Sequence, residues 1–374
     1  MSRNRGWFAR RWHALRGLAR VLSRPVRRAV RGRGGVALQT YRGYGSRREV
    51  FMIGRVLRQP GGPATGNAFA DLGRLFMRRG IRDAVLTVRF DGSDERISTD
   101  RDGYFRLHVP LTRPPPSDAV WHPVVIELNE PERIVATGEV FIPPPACSFV
   151  TISDIDDTVV YTGVANKAMM LWRLFMQDAG DRVAFPGMAA VLNAHQRRPS
   201  GHEKNPILDV SRGTWSIYEI LDEFFNQHEI PIGPILFLRE WGLTLHSPLP
   251  RRAKDHKLAL IRNMLELYGE LPFVLIGDSG QRDPEIYAQV VQEHPGRVAA
   301  IYIRDVTRSA KRDRGIEALA REVAASGSTL VVAADSLEMA RHAAAHGLIA
   351  PHFQEDVVEE RDTAAENGTA AGQP

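Results

Sequence analysis

From residue 148 onward, short apolar runs alternate with longer amphipathic segments, and this rhythm restricts the fold more than any other feature of the sequence. The apolar runs include SFVTIS, PILDVS, PFVLIG and RVAAIYI, and the segments between them, such as HKLALIRNMLELYG, have helical spacing. Nearly continuous apolar strands that alternate with helices are typical of a parallel sheet with both faces covered. The sequence therefore predicts an α/β domain, which we place at residues 147–350.

Residues 36–146 follow a different pattern. Runs rich in β-branched and aromatic residues, such as EVFMIGRVL and DAVLTVRF, are separated by the turn signals PGGP and FDGSD. The segment STDRDGYFRL resembles the hairpin of transthyretin-like or immunoglobulin-like modules. We therefore predict an all-β sandwich with a helix only around 67–79. The segment IPPPA, at 142–146, indicates a stiff linker to the α/β domain.

The N-terminal segment, residues 1–35, is basic and amphipathic. Residues 1–48 contain fourteen arginines and no Asp or Glu, so the net charge of +5 leaves the rest of the chain at −9. A helix of this kind is typical of attachment to an anionic membrane surface, here through residues 1–33. A solvated basic tail, or a helix packed on the body, is an equal alternative, and nucleic acid is not expected as a partner. The apolar positions recur at helical steps: Phe8, Trp12, Leu15, Leu18, Leu22 and Val26.

Cysteine content and hydropathy limit the cellular compartments in which this protein is expected. A single cysteine, Cys147, excludes an intrachain disulfide and favours a reducing compartment. No apolar run approaches the roughly 20 residues of a membrane-spanning helix. We expect a cytoplasmic protein, with peripheral attachment at the inner membrane surface as the alternative that the basic segment raises. Residues 351–374 are acidic and then rich in Ala and Gly, which predicts a disordered tail.

Polar residues collect where three predicted strands end. DIDDT, at 154–158, follows the first strand, SRGT, at 211–214, follows the second, and DSGQRD, at 278–283, follows the fourth. Lys257 lies at the start of a helix between the last two. Ligands of open α/β sheets bind outside the carboxyl ends of the strands. We therefore expect several carboxylates, a hydroxyl and a lysine to face one crevice.

These residue types match the needs of phosphoryl transfer. Clustered carboxylates repel one another unless a cation neutralises them, and Mg²⁺ prefers carboxylates, water and phosphate oxygens. A carboxylate can attack phosphorus, and a second can move the proton of the leaving oxygen. A lysine, a hydroxyl and turn amides can hold the phosphoryl oxygens.

The motif order resembles a known superfamily. DIDDT matches the DxDxT signature of haloacid dehalogenase-like phosphatases, and a Ser after a strand, a Lys and an acid-rich GDSGQRD loop follow in the same order. SDIDDTVVYTGV, FPGM, SRGTWSIYEIL, GPILFLREWG and FVLIGDSGQRDPEIY are similar to the actin-patch-associated, lipin-related phosphatidate phosphatase family. The resemblance covers most of 149–310, and YRGYG at 41–45 also fits it. It implies a haloacid dehalogenase-like Rossmannoid fold and Mg²⁺ as the cofactor.

The resemblance also implies roles for individual residues. Asp154 would be the nucleophile and Asp156 the general acid and base, while Thr158 would help to position Asp156. Metal ligation is implied for Asp154, Asp156, Asp278 and Asp283, and substrate or phosphate binding for Thr158, Ser211, Arg212 and Lys257.

Several positions keep alternative interpretations. Arg212 is suited to a second anionic group or to a surface ion pair, and the latter is slightly favoured. Lys254 is the rival of Lys257, and Asp157 receives no catalytic role. Residues 165–205 contain an apolar helical pattern that suits a core helix, a small cap or a lipid-facing element. No ligand spacing connects four of the histidines, so no zinc is assigned to His195, His202, His246 and His256.

The sequence thus predicts a Mg²⁺-dependent phosphoric monoester hydrolase that acts through an aspartyl-phosphate. Phosphatidate is the preferred substrate, which makes a phosphorylated lipid the expected partner. A soluble phosphomonoester or a phosphoprotein is the alternative substrate. A third hypothesis is a membrane-tethering module in which catalysis is secondary.

Overall fold

The computed structural model describes residues 29–31, 35–58, 79–155, 185–197, 204–211, 215, 218–237, 253–307 and 309–370. The predicted helix around 67–79, up to residue 78, and the apolar pattern from 165 to 184 lie outside these ranges. So does the N-terminal segment up to residue 28. The chain divides into two compact units. One comprises Met1–Pro145 with Tyr218–Glu223, and the other comprises Ala146–Ile217 with Phe224–Pro374.

The first unit is built on one mixed, mostly antiparallel sheet. Its strand order is β1-β2-β4-β3-β10-β9-β6-β7, with β5 and β8 paired to β4, and only β3 and β10 run parallel. The strands are β1 Ala29–Arg31, β2 Val36–Thr40, β3 Gly43–Gly45, β4 Glu49–Arg58, β5 Arg79–Gly80, β6 Val85–Phe90, β7 Ser93–Ser98, β8 Tyr104–Pro110, β9 Trp121–Leu128 and β10 Ile134–Phe141.

Side chains along these strands alternate between buried and less buried positions. In β4 and β6, every second side chain is buried, because successive residues of a strand point to opposite faces. The buried positions form one apolar core that includes Met52, Leu86, Phe105 and Ile126. Ala29–Arg31 is a strand, so the predicted N-terminal helix does not extend to these residues. The immunoglobulin-like or transthyretin-like assignment stays a prediction.

The second unit confirms the predicted α/β architecture. Its six strands are all parallel, in the order β13-β12-β11-β14-β15-β16. All residues of β11, β12 and β14 are buried, as expected for central strands covered on both faces. The strands are β11 Val150–Asp154, β12 Ile207–Ser211, β13 Ile235–Phe237, β14 Phe273–Asp278, β15 Val298–Arg304 and β16 Leu330–Ala333.

Helices lie between these strands along the chain and after the last of them. In the described part of the chain they are α1 Met188–Arg197, α2 Tyr218–Gln227, α3 Ala253–Leu267, α4 Asp283–Glu293, α5 Ala310–Ala325, α6 Ser336–Ala345 and α7 Phe353–Ala370. Helix α4 begins at Asp283 with Pro284 in its first turn, where a missing N–H costs nothing. Among the described helices, none has the length and the apolar content that crossing a bilayer requires.

Helix α7 differs from the sequence prediction. The prediction of a disordered segment from residue 351 does not hold here, because Phe353–Ala370 is helical and Phe353 and Val357 are buried. Glu360 accepts hydrogen bonds from the backbone N–H groups of Gly187 and Ala190, at 3.1 and 2.7 Å. These N–H groups lie at the start of α1, where helical N–H groups lack partners within the helix. An acidic, Ala-rich sequence is therefore ordered by tertiary contacts that its composition does not reveal.

Candidate active site

Three carboxylates meet at the carboxyl edge of the parallel sheet. Asp154 is the last residue of β11 and Asp278 is the last residue of β14, its neighbour in the sheet. Asp283 is the first residue of α4, five positions after Asp278. The three residues are at most 1% exposed, and one oxygen of each lies within 4.8 Å of the others. Three of the four metal ligands that the sequence predicted are therefore brought together.

Lys257 lies inside this acid cluster. Its Nζ donates to Asp154 Oδ2 at 3.0 Å and to Asp283 Oδ1 at 2.5 Å, although it comes from helix α3. Burial alone lowers the pKa of Lys257, but the nearby carboxylates of Asp154 and Asp283 outweigh it, so the net pKa is raised well above its usual value. Lys257 is therefore a permanent cation within the cluster. The side chain of Lys254, its rival, lies outside the described residues.

The aromatic ring of Tyr287 forms one wall beside Lys257. The ammonium lies 5.5 Å from the ring centroid, within the range of a cation–π contact. Burial, and then the charge of Asp283, raise the pKa of Tyr287, so its hydroxyl stays neutral and donates to the Ile276 carbonyl at 3.1 Å. The wall therefore adds a favourable ring face to Lys257 without adding a charge.

The charge balance of the cluster suits a divalent cation. Three buried carboxylates surround the ammonium of Lys257, so acidic groups outnumber that cation within the cluster. Hard divalent cations such as Mg²⁺ take carboxylate oxygens as ligands. The donor set is therefore compatible with a metal, and Asp154 and Asp278 are the carboxylates best suited to hold it directly.

Asp283 is suited to support that site from the side. Its Oδ1 accepts from Lys257 and its Oδ2 accepts from the Asp278 N–H at 3.3 Å. Both oxygens are therefore already engaged with groups that build the cluster. Gly277 makes room for this arrangement, since a Cβ at that position would lie 2.3 Å from Asp283 Oδ2. The hydrogen bond from the Asp278 N–H to the Asp283 carboxylate thus closes the loop from 278 to 283.

Arg312 fixes the same loop from outside. Its Nε donates to the Ser279 carbonyl at 2.8 Å and its Nη2 donates to the Gln281 carbonyl at 2.6 Å. Its guanidinium also forms a fork with the carboxylate of Glu285 on α4. Arg312 was not predicted, because it lies on α5, 29 positions after Asp283, without any motif around it.

Ser211 occupies the end of the next strand. It is the last residue of β12, fully buried, one position beyond the residue that is in register with Asp154. Its position at the same sheet edge is the one that the sequence predicted. Asp156, Thr158 and Arg212 lie outside the described residues.

Comparison with known proteins identifies the segment that contains the cluster. Residues 149–305 match the family described as phosphatidate phosphatase APP1, catalytic domain. This segment belongs to that family. The match begins one residue before β11 and ends one residue after β15, so it includes every strand end that contributes to the cluster. The resemblance that the motifs indicated is therefore confirmed.

Two fungal proteins are similar over part of the chain. The phosphatidate phosphatase APP1 of Saccharomyces cerevisiae is 28% identical over 159 residues, which is 42% of this chain and 26% of the yeast protein. An uncharacterized protein of Schizosaccharomyces pombe is 23% identical over 246 residues, which is 62% of this chain and 39% of that protein. The matched regions thus span well under half of these relatives.

Similarity to solved structures is low. A carbohydrate acetylesterase from Xanthomonas citri aligns with 13% identity over 78% of this chain and 74% of that one, with a TM-score of 0.25. A superposition of this quality carries no argument about fold or activity.

Proposed function

We propose that this chain is a Mg²⁺-dependent phosphatase that acts through an aspartyl-phosphate and hydrolyses phosphatidate to diacylglycerol and phosphate. The observation that supports it most is the buried set of Asp154, Asp278, Asp283 and Lys257 within a segment of the APP1 catalytic-domain family. Phosphoryl transfer requires mainly positioning and charge neutralisation, and this set offers both.

Each residue has one part in the proposed chemistry. Asp154 attacks phosphorus while the bond from phosphorus to the leaving oxygen breaks, and Asp156 gives its proton to that oxygen. Asp156 then takes a proton from water, whose oxygen attacks the aspartyl-phosphate and releases Asp154 and inorganic phosphate. Lys257 and Ser211 hold the phosphoryl oxygens, with Thr158 and Arg212 assisting. Bound Mg²⁺ supplies the positive charge that neutralises the phosphoryl oxygens and the acid cluster.

The architecture is part of the same proposal. A parallel sheet with carboxylates at its strand ends, together with the order of the four motifs, supports a haloacid dehalogenase-like fold for residues 147–350. Residues 36–146 would form the preceding immunoglobulin-like or transthyretin-like sandwich. The protein would be cytoplasmic, and its basic N-terminal segment, residues 1–33, would attach it to an anionic membrane surface.

The lipid substrate is supported by the yeast relative's name and by that basic segment. A soluble phosphomonoester or a phosphoprotein remains the second candidate, since the same cluster would serve either. A purely tethering protein is the third, and the acid cluster with its buried lysine disfavours it.

A substrate panel with two variants tests the proposal. The wild-type chain should release phosphate from phosphatidate in mixed micelles with Mg²⁺, and Asp154→Asn should abolish this release. Asp102→Asn, in an exposed turn of the first unit, is the matched control and should keep full activity. Activity on p-nitrophenyl phosphate but not on phosphatidate would transfer the proposal to soluble substrates. If the chain hydrolyses no phosphomonoester, the proposal that it is an enzyme is refuted.

Vesicle sedimentation tests the membrane part separately. Deletion of residues 2–33 should reduce binding to vesicles that contain phosphatidylserine, because the arginines of that segment would supply most of the attraction. Phosphatase activity on p-nitrophenyl phosphate should persist in the truncated chain. Unchanged vesicle binding after the deletion would remove the anchor from the proposal and leave the enzyme untouched.

A further inference from the structure

Arg304 lies at the same edge of the parallel sheet as the acid cluster. It is the last residue of β15, and it is in register with Asp278, the last residue of β14. Neighbouring strands lie about 4.8 Å apart, so the backbones of Arg304 and Asp278 are close together. Ligands of open α/β sheets bind outside this carboxyl edge. A cationic side chain therefore begins at the position where an anionic ligand of the sheet would bind.

The guanidinium of Arg304 is buried and has a donor without an acceptor. The residue is 9% exposed, and its buried Nη1 atom has no hydrogen-bond partner in the described part of the chain. Asp335 is the acid whose charge acts on Arg304. The carboxylate of Asp335 has other partners, however. Its Oδ1 accepts from the Glu338 N–H at 2.9 Å, and its Oδ2 lies 3.6 Å from Arg361 Nη1.

Burial makes the positive charge of Arg304 unfavourable. Burial lowers the pKa of Arg304 from 12.5 to about 10, although the charge of Asp335 acts in the opposite direction. The guanidinium therefore still carries its charge at neutral pH. Buried charges are normally paired, because an uncompensated charge in a protein interior costs free energy. An anion at Nη1 would supply this compensation.

The ring of Phe185 fixes the guanidinium from one side. Cζ of Arg304 lies 3.2 Å from the ring centroid, which is a cation–π contact. This contact uses the ring face and no lone pair, so it leaves Nη1 available as a donor. The Phe185 carbonyl accepts from the Met188 N–H at 3.0 Å. The next carbonyl, of Pro186, accepts from Ser336 Oγ at 2.9 Å. Phe185 is thus held in place before any ligand binds.

We propose that Arg304 binds an oxyanion through Nη1, at the sheet edge beside the acid cluster. Phosphate and carboxylate groups offer the oxygen atoms that a guanidinium prefers. The oxyanion is either free inorganic phosphate or a second anionic group of the substrate, outside the phosphoryl group that is transferred. The second form rests on the proposed phosphatase activity, and the first does not. In the second form, Arg304 favours phosphomonoesters that carry a further anionic group.

Thermal unfolding of the full chain in inorganic phosphate tests this site. Arg304→Met keeps an unbranched side chain against Phe185 but removes the charge. Phosphate, at constant ionic strength, should raise the Tm of the wild type more than that of Arg304→Met, because a ligand of the folded chain stabilises it. Arg341→Met, which removes an exposed arginine of α6, is the matched control and should respond as the wild type does. Equal responses of wild type and Arg304→Met would overturn the proposal.

Stability without phosphate separates a ligand-binding arginine from a structural one. In phosphate-free buffer, Arg304→Met should be at least as stable as the wild type, because a buried charge is removed and Nη1 has no partner to lose in the described part of the chain. Urea unfolding measures the difference. A marked loss of stability in this buffer would assign Arg304 a structural role and contradict the proposal.

A matched pair of ligands identifies the source of the oxyanion. 3-Phosphoglycerate has a carboxylate that glycerol 3-phosphate lacks. Both are titrated calorimetrically with Mg²⁺ into Asp154→Asn, which lacks the proposed nucleophile and should not hydrolyse them. If the substrate supplies the oxyanion, 3-phosphoglycerate should bind about tenfold or more tightly than glycerol 3-phosphate. Adding Arg304→Met should remove that difference.

Equal binding of the two ligands to Asp154→Asn, together with the phosphate response, would assign the site to free phosphate. These titrations and the thermal measurements detect binding and not turnover. A wild-type chain that hydrolyses no phosphomonoester would therefore refute the proposed function, whereas only the loss of the Arg304-dependent phosphate response refutes the site.

Discussion

At the scale of single residues, Lys257 is the group on which the acid cluster depends. It is 2% exposed and forms ion pairs with two carboxylates that are themselves buried. A buried ion pair is weak evidence for stability by itself, but removal of one partner leaves charge without compensation. Lys257 therefore determines both the electrostatics of the cluster and its tolerance of substitution.

Lys257→Met should destabilise the chain by about 3–5 kcal/mol in the presence of EDTA, because two buried carboxylates then lose their cation. Urea unfolding measures this loss. Adding Asp283→Asn to Lys257→Met should recover part of it, since one of those carboxylates is removed. A double variant that is less stable than the sum of the single effects would argue against the pairing.

Gly277 is required for steric reasons. Gly277→Ala would place a Cβ at 2.3 Å from Asp283 Oδ2, so Asp283 must move. We expect a loss of about 1–3 kcal/mol in stability and a weaker affinity for Mg²⁺. Thermal unfolding and Mg²⁺ titration are the measurements. Gly315→Ala, with nothing near the added Cβ, is the control and should be neutral or stabilising. Equal effects of the two substitutions would contradict the steric argument.

At the scale of elements, Arg312 connects α5 to the loop that contains two of the carboxylates. A lysine in its place would keep the charge but lose the planar fork and the bonds to two carbonyl groups. Arg312→Lys should therefore raise the Mg²⁺ concentration needed for half-maximal activity and leave kcat at saturating Mg²⁺ nearly unchanged. Arg314→Lys, exposed on the same helix, is the control. A fall in kcat without any change in Mg²⁺ requirement would contradict a positioning role.

Elements with a strong local pattern were predicted well from the sequence. The run SFVTIS corresponds to Val150–Asp154 and the run PFVLIG corresponds to Phe273–Asp278, because continuous apolar runs mark strands that are buried on both faces. Helix α7 was missed, because its order depends on burial of Phe353 and Val357 and not on its composition. Local sequence predicts an element when its own residues supply the stabilisation.

The same distinction applies to the residues of the candidate site, some of which were predicted from the sequence and some of which were missed. Asp154, Asp278 and Lys257 were predicted because strand ends and motif order bring them together. Arg312 was missed because it donates to backbone carbonyl groups of a loop about 30 positions earlier. The sequence around Arg312 contains no pattern that indicates these contacts.

At the scale of the whole molecule, His195 links stability to pH. It is fully buried, and burial lowers its pKa from 6.5 to about 4. The unfolded chain therefore binds a proton at this residue between those values while the folded chain does not. Stability from His195 is complete above pH 6.5 and is lost as the pH falls towards 4, which amounts to about 3 kcal/mol in total.

Urea unfolding of the full chain from pH 7 to pH 5 measures this effect. The wild type should lose about 2 kcal/mol over that range through His195. His195→Gln is less stable at pH 7, but its pH dependence should be flatter by that amount, since the carboxylates titrate equally in both proteins. Parallel stability curves for the two proteins would exclude His195 as the group responsible.

The bond between α7 and α1 also has a consequence for synthesis of the protein. Glu360 caps N–H groups at Gly187 and Ala190, which are 173 and 170 positions earlier in the chain. A ribosome at 5–20 residues per second reaches Glu360 about 10–30 seconds after Gly187. During that interval the first turn of α1 lacks the Glu360 carboxylate that accepts its N–H groups. The second unit can therefore complete this contact only after residue 360 has been synthesised.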